Sequence, residues 1–213
     1  MKRYVLKVSG HLIKYPNVLR ELISTVYNIH RRGLAFIALI PGGSEFADLV
    51  RNLQEHVGFN DDVAHWMAIK AMEVYGSYIS SMFPGMIEEV TDLNGVMVVQ
   101  GKIPLIMPYK IMRSTDELPH SWSVTSDSIA LYLTHVLSFD MAILAKMIDG
   151  VMINGQLIRR VRADDVNTDV IDSYLRILIK TLNKGVAIFN ARKPWVLNSI
   201  ISDADDEYTL ITP

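Results

Sequence analysis

Apolar positions along the chain keep two rhythms. Residues 3–9 and 34–40 are short continuous apolar runs, as expected of strands buried on both faces. Between them Val18, Leu19, Leu22, Ile23, Val26 and Ile29 recur at helical spacing, which predicts a helix over 16–32 that Gly33 stops. After the second run, Ser44 is placed to cap a helix whose apolar face is Phe46, Leu49, Val50 and Leu53. Asp61 and Asp62 open a further helix over 62–81. Short strands are expected near 87–90 and 96–99, with a third at Leu105–Met107, then a polar loop over 108–123 that holds two prolines. Thr125-Ser126-Asp127-Ser128 caps a helix to about Leu137, and Met141–Ala145 reads as a strand with Asp149-Gly150 as its turn. Val170–Leu182 is helical and ended by Gly185. Val186–Asn190 is a strand, Val196–Ile201 a short helix, and Tyr208–Thr212 an edge strand. Strands alternating with helices predict an α/β domain with a mainly parallel sheet covered on both faces.

Two of the strand ends share a chemistry. Tyr4-Val5-Leu6-Lys7-Val8-Ser9-Gly10 and Phe36-Ile37-Ala38-Leu39-Ile40-Pro41-Gly42-Gly43-Ser44 both run from a strand through glycine towards a helix. Glycine lets backbone N–H groups approach an anion, and a helix N-terminus adds positive potential. Lys7 is unusual inside a buried run, because an unpaired ammonium there is costly, so it needs an anionic partner or a path to water. Neighbouring parallel strands with such ends would frame a phosphate-holding crevice at the carboxyl edge of the sheet. The glycines fit neither the P-loop pattern nor Gly-x-Gly-x-x-Gly.

Composition narrows the class. With 213 residues, half of them apolar and 21% charged, a sizeable core is expected in one large domain or two closely joined lobes. A net charge of −2 argues against a nucleic-acid binder with a broad basic face. Cysteine is absent, which excludes disulfides and thiolate chemistry and fits a cytoplasmic location. No signal peptide is read at the N-terminus, and no apolar run is long enough to span a bilayer.

Other polar positions carry candidate chemistry. Asp127, at a helix start, is either a carboxylate favoured by the helix dipole or one that orients the lysine or helps to hold Mg²⁺. Lys146 and Asp149-Gly150 are a surface lysine and a plain turn, or a nucleotide contact at another strand end. Trp122, in the polar loop, is a candidate substrate contact. His65-Trp66 suits packing or a subunit contact better than metal binding, since His56 and His65 do not share a helix face. The acidic run Asp203, Asp205, Asp206 and Glu207 reads as a solvated turn.

Lys7-Val8-Ser9-Gly10, Pro41-Gly42-Gly43-Ser44, Thr125-Ser126-Asp127-Ser128-Ile129-Ala130 and Lys146-Met147-Ile148-Asp149-Gly150-Val151 occur in the order found in the amino acid kinase superfamily. The chain resembles that superfamily over most of its length. Gly42–Asp48, Asp62–Ile69 and Leu118–Ser128 also resemble a uridylate-kinase-like branch from one-carbon metabolism. That branch includes the methanofuran-pathway kinases, which convert an aminomethylfuran methyl phosphate to its diphosphate.

The resemblance implies a three-layer α/β/α sandwich with an eight-stranded, mainly parallel sheet. It forms a single domain over 1–213, with an acceptor part at about 1–120 and a nucleotide part at about 121–213. It implies ATP and Mg²⁺ as reaction partners, the metal arriving on ATP rather than in a side-chain cluster. It also implies a small phosphate acceptor, no nucleic acid or membrane partner, and a homo-oligomer. Lys7 and Asp127 would be catalytic, with Lys7 stabilising the transferring phosphoryl group and Asp127 organising the lysine. Ser9, Gly10, Gly42, Gly43 and Ser44 would hold phosphate. Lys146, Asp149, Gly150 and Val151 would face the nucleotide, and Trp122, Ser123, Thr125 and Ser126 the acceptor. The chain departs from the family pattern at His11, Ser44 and Ser123. It also lacks the Gly-Gly-Met-x-x-Lys segment that gives some members a second catalytic lysine, and Lys146 is the candidate substitute. The leading expectation is a kinase acting on a phosphate monoester, best an aminomethylfuran methyl phosphate. The alternatives are a uridylate kinase and a non-catalytic nucleotide- or anion-binding storage protein.

Overall fold

A computed structural model describes residues 1–166, 170–205 and 207–213. The strands and helices, in chain order, begin with β1 (Arg3–Val8), α1 (Pro16–Arg31), β2 (Phe36–Pro41), α2 (Ser44–Val57) and α3 (Asp61–Met82). There follow β3 (Ile87–Val90), α4 (Leu93–Val98), β4 (Ile103–Ile106), α5 (Pro108–Thr115), α6 (Ser126–Val136) and β5 (Met141–Lys146). The last part holds β6 (Met152–Ile153), β7 (Gln156–Leu157), β8 (Arg160–Arg162), α7 (Ser173–Leu182), β9 (Val186–Asn190), α8 (Val196–Ser202) and β10 (Tyr208–Thr212).

Eight strands form one sheet in the order β3-β4-β2-β1-β5-β9-β10-β8, and β6 and β7 make a separate hairpin. All neighbours in the large sheet are parallel except β10, which runs antiparallel to β9. β1 and β5 are central because their residues can be buried on both faces. Period-two alternation sends Tyr4, Leu6 and Val8 into the core under α1, and Val5 into the core under α6 and α7. These two apolar layers, one on each face of the sheet, make the structure an α/β/α sandwich.

α1 follows its sequence pattern closely. Pro16 occupies the first turn, where its missing N–H costs nothing, and Leu19, Leu22, Ile23, Val26 and Ile29 form its buried stripe. Gly33 follows with φ +63°. Several expectations are corrected. The run over 96–99 is not a strand but the end of α4, because the Asp92 side chain accepts from Gly95 N at 2.8 Å and starts a helix. The polar loop expected over 108–123 begins as α5, since Pro108 sits at a helix start and Glu73 accepts from Tyr109 N at 2.9 Å. α7 starts at Ser173 rather than Val170, capped by Asp172, and ends at Asn183 in the left-handed region rather than at Gly185. The C-terminal strand is not an edge. β8, whose Arg-Val-Arg sequence carries no apolar signature, lies outside it and presents charge at the sheet edge.

The acidic run near the C-terminus is paired. Asp203 meets Lys2 at 2.5 Å and Asp205 meets Arg159, while Asp206 lies outside the described residues. Among the described residues no helix is long and apolar enough to cross a membrane.

Candidate active site

The chain moves from β1 to β2 on one side and later returns to β5 on the other, so the sheet order reverses around β1. Crevices open at such reversals, above the carboxyl ends of the strands. Lys7 is near the end of β1 and shares the face of Val5, which is the face covered by α6. Asp127, in the first turn of α6, therefore meets it: Lys7 Nζ lies 2.9 Å from Asp127 Oδ1. From the end of β5, Lys146 Nζ donates to Asp127 Oδ2 at 2.5 Å and to Val170 O at 2.5 Å. Asp127 is 3% exposed and Lys7 7%.

One carboxylate between two ammonium groups leaves this buried cluster with an excess positive charge. Burial works to raise the Asp127 pKa, but Lys7 and Lys146 outweigh it and hold the carboxyl below its usual range. Burial also lowers the Lys146 pKa, Asp127 opposing the change and Lys7 adding to it. Asp127 Oδ1 receives no hydrogen bond of good direction, although Lys7 is at ion-pair distance. The Lys7 ammonium, paired with Asp127, also faces the crevice it lines.

Asp172 fixes the start of α6. Its Oδ2 accepts from Thr125 N at 3.0 Å, Thr125 Oγ1 at 2.8 Å and Ser128 N at 3.0 Å. Its Oδ1 accepts from Ser128 Oγ at 2.6 Å and from Leu175 N at 2.8 Å. One side chain thus caps α7 and locks the motif that carries Asp127. The sequence reading did not single it out, although an acid just before an apolar helical pattern is a cap signal.

The two glycine junctions interlock. A Cβ on Gly10 would stand 2.2 Å from Ser44 N, and one on Gly42 would stand 2.6 Å from Gly10 N and 3.2 Å from Lys7 Cε. Gly43 is equally tight, 2.6 Å from Ala47 Cβ. Gly42 N donates to Val8 O at 2.8 Å. Ser44 opens α2 with φ +52°, so it belongs to the turn itself, and its Oγ accepts from Phe46 N at 3.4 Å while the cap position is Gly43. The buried Tyr75 of α3 donates to Ser9 O at 3.2 Å and ties that helix to the first junction. Tyr75 is a second positioning residue the sequence did not reveal.

A cleft of about 340 Å³ opens above these junctions, between α2, α3 and the segment over 121–129. Lys7, Ser9, Gly10, Gly43 and Ser44 line one end, and Trp122, Thr125 and Ser126 line another wall. Gly42 and Ser123 do not line it. Ser123 instead bonds the Ser121 hydroxyl and accepts from Tyr174 N at 3.2 Å. Trp122 is held by its neighbours: Nε1 donates to Gln54 Oε1 at 2.6 Å, and the Arg51 guanidinium covers its ring at 4.4 Å. Gln54 in turn donates to Asp61 Oδ1 at 2.8 Å. His65 stacks on His120, ring centres 4.5 Å apart, and meets the edge of Trp66. His120 contacts Asp62 at 2.7 Å and Asp116 at 2.8 Å. Burial, and then the His120 charge, lower the His65 pKa to about 4. Burial opposes charge on His120 as well, but its two carboxylates raise its pKa.

Asp149, Gly150 and Val151 stand apart from this cleft, beyond β5. Asp149 accepts from Lys193 at 2.7 Å and from Asn190 at 3.2 Å. Gly150 has φ +147°, and a Cβ there would meet Thr209 Oγ1 at 2.3 Å. Val151 N donates to that same hydroxyl at 2.9 Å. Lys193, which also reaches Glu207, is a cation at this second location that the sequence reading passed over. Lys146 is the residue that connects β5 to the cluster at Asp127.

A buried cation cluster beneath a glycine-lined crevice is an arrangement suited to phosphate. Along the whole chain, 28% of residues are identical to [5-(aminomethyl)furan-3-yl]methyl phosphate kinase of Methanocaldococcus jannaschii, over 98% of this chain and 97% of that one. Among solved structures, UMP kinase from Ureaplasma parvum superposes with a TM-score of 0.74 at 15% identity, covering 100% of this chain and 99% of the other. Uridylate kinase from Archaeoglobus fulgidus gives 0.73 at 16% identity, with 100% of both chains covered. The family model for the amino acid kinase family matches residues 2–185, and the chain belongs to that family.

Proposed function

We propose that the protein is an ATP-dependent phosphotransferase acting on a small phosphate monoester, and that the acceptor is [5-(aminomethyl)furan-3-yl]methyl phosphate. The full-length similarity to the M. jannaschii kinase supports the acceptor. The observation that carries the chemistry is Asp127 buried between Lys7 and Lys146 at the point where the sheet order reverses. In the reaction an oxygen of the acceptor phosphate attacks Pγ of ATP. A new P–O bond forms, the bond to the β-phosphate oxygen breaks, and ADP leaves with that electron pair, giving a diphosphate.

Transfer of this kind depends on placed positive charge more than on covalent chemistry. Lys7 and the amides around Gly10, Gly43 and Ser44 would bear on the transferring group, and Asp127 would keep both lysines in register. The acceptor would enter the cleft built mainly from the N-terminal part of the chain. ATP would lie over the carboxyl ends of β5 and β9, near Lys146, Asp149, Gly150 and Val151, with Lys193 close by. Mg²⁺ would come in on the triphosphate rather than in a side-chain cluster. A cytoplasmic homo-oligomer completes the reading, the exposed Leu49, Leu53 and Val57 of α2 offering apolar surface for subunit contact.

Incubation with Mg²⁺-ATP and the aminomethylfuran phosphate, followed by ³¹P NMR, tests the proposal. Paired diphosphate resonances and stoichiometric ADP are expected. Formation of UDP from UMP, with the furan phosphate inert, would replace the acceptor. ATP left intact with both would overturn the kinase reading.

A further inference from the structure

The cleft has two chemically distinct ends. α2 leaves the phosphate end at Ser44, and α3 is anchored to that end by Tyr75 on Ser9 O. At 1.5 Å per residue, Gln54 on α2 and His65 on α3 each lie about 15 Å of helix away from those anchors. The Gln54 to Asp61 hydrogen bond shows that the two helices reach the same distal region. The proximal end holds Lys7 and the helix start at Ser44. At the distal end, Asp61 is exposed at the mouth, and His120 is flanked by Asp62 and Asp116. Arg51, over the Trp122 ring, lines this end too, so its cleft-lining charges are one guanidinium and the Asp61 carboxylate. Ala64, Ala68, Ile69 and Met72 give the α3 wall a small apolar face between the ends.

His65 is the exception on that wall. It is 7% exposed, lines the cleft, and stacks on His120, yet among the described residues its ring nitrogens make no hydrogen bond. A neutral imidazole facing a cleft offers one ring nitrogen as an acceptor. Its neutral form accepts a hydrogen bond from an ammonium, where an imidazolium would repel it.

We infer that His65, with Asp61 at the mouth, forms a subsite that reads a cationic group at the end of the acceptor remote from its phosphate. The inference rests on the proposed function and gives its substrate a class: a zwitterionic phosphate monoester with a flat ring between its charges. A ring bearing an aminomethyl arm on one side and a phosphomethyl arm on the other has that form. Uridine monophosphate, with a neutral base, does not.

Calorimetric titration of the full chain, without nucleotide, compares [5-(aminomethyl)furan-3-yl]methyl phosphate with the same compound carrying methyl in place of aminomethyl. The unmodified protein should bind the amine about tenfold more tightly or better, as a hydrogen bond to a charged group allows. His65→Leu should remove most of that preference while leaving affinity for the methyl compound within about twofold. Asp61→Asn, at an exposed position, should weaken the amine selectively as well and does not depend on core packing. A merely structural role for His65 would weaken both compounds alike. Equal binding of the two by the unmodified protein, binding of neither, or a preference that survives both substitutions overturns the inference. Failure of the kinase reading looks different: a clear preference for the amine, with no diphosphate formed when Mg²⁺-ATP is added.

Discussion

Lys7 sits where a hydrophobic strand should not carry charge, and the structure shows what makes it tolerable. Its ammonium is compensated by Asp127, which is itself shared with Lys146. Lys7→Ala removes the cation nearest the glycine junction and leaves Asp127 paired with Lys146. Circular dichroism should be unchanged, while kcat for ADP release should fall by roughly 10²–10³-fold, the scale of losing one placed transition-state donor. Asp172 makes a separate prediction, because five donors converge on it. Asp172→Ala should cost about 2–4 kcal/mol in urea unfolding, since buried donors are left without acceptors, and Asp172→Asn should recover part of it. Lys7 and Asp127 were legible in the sequence because a charge within an apolar run and an acid after Thr-Ser are local signals. The Asp172 cap on Leu175 is local as well, but its hold on Thr125 and Ser128, and that of Tyr75 on Ser9, were not legible, since those partners lie 44–47 and 66 positions away.

At the scale of elements, the glycine turns act as a pair. Gly10 approaches the backbone of Ser44, and Gly42 approaches that of Gly10, so neither junction can relax alone. Gly10→Ala should destabilise the protein by about 1–3 kcal/mol, the cost of overpacking a filled site, and should weaken nucleotide-induced thermal shifts by spreading the junction. Substitution at Gly33, where a Cβ meets nothing within 4 Å, should leave those shifts intact. α1, with its single apolar stripe, was read almost to the residue, whereas Leu49 and Leu53 in the apolar face read for α2 are exposed. The failures came where two local signals competed. Val96-Met97-Val98 reads as β-type, yet the Asp92 cap commits it to α4. Pro108 reads as a breaker but is a favoured first residue of α5. β8 escaped notice because an edge strand of three residues needs no apolar pattern.

The molecule as a whole should be most stable near neutral pH. His65 and His30 have lowered pKa values, the first to about 4 from 6.5, both chiefly through burial. The unfolded chain therefore takes up protons below about pH 6.5 that the folded chain refuses, and stability falls as pH drops towards 4. His120 has the opposite sign. Its raised pKa adds stability that is fully present below 6.5 and is lost as pH climbs through the folded value. Thermal unfolding from pH 4.5 to 9 should trace a dome, and His65→Leu should flatten its acid limb. A melting temperature that rises steadily on acidification would contradict the burial of His65.

β1 precedes the other strands of its sheet along the chain and is one of the two central strands. Its partner β2 is the next strand in the chain, but its other edge waits for β5, which brings Leu144 opposite Lys7. During synthesis at 5–20 residues per second, that edge stays open for roughly 10–30 s. A nascent chain in that interval displays Tyr4, Val5 and Leu6 beside an unfilled ladder, the kind of template on which strands from other chains add. The topology that centres the lysine cluster thus ties its completion to translation, and makes the interval before β5 emerges the period when the chain most needs a chaperone.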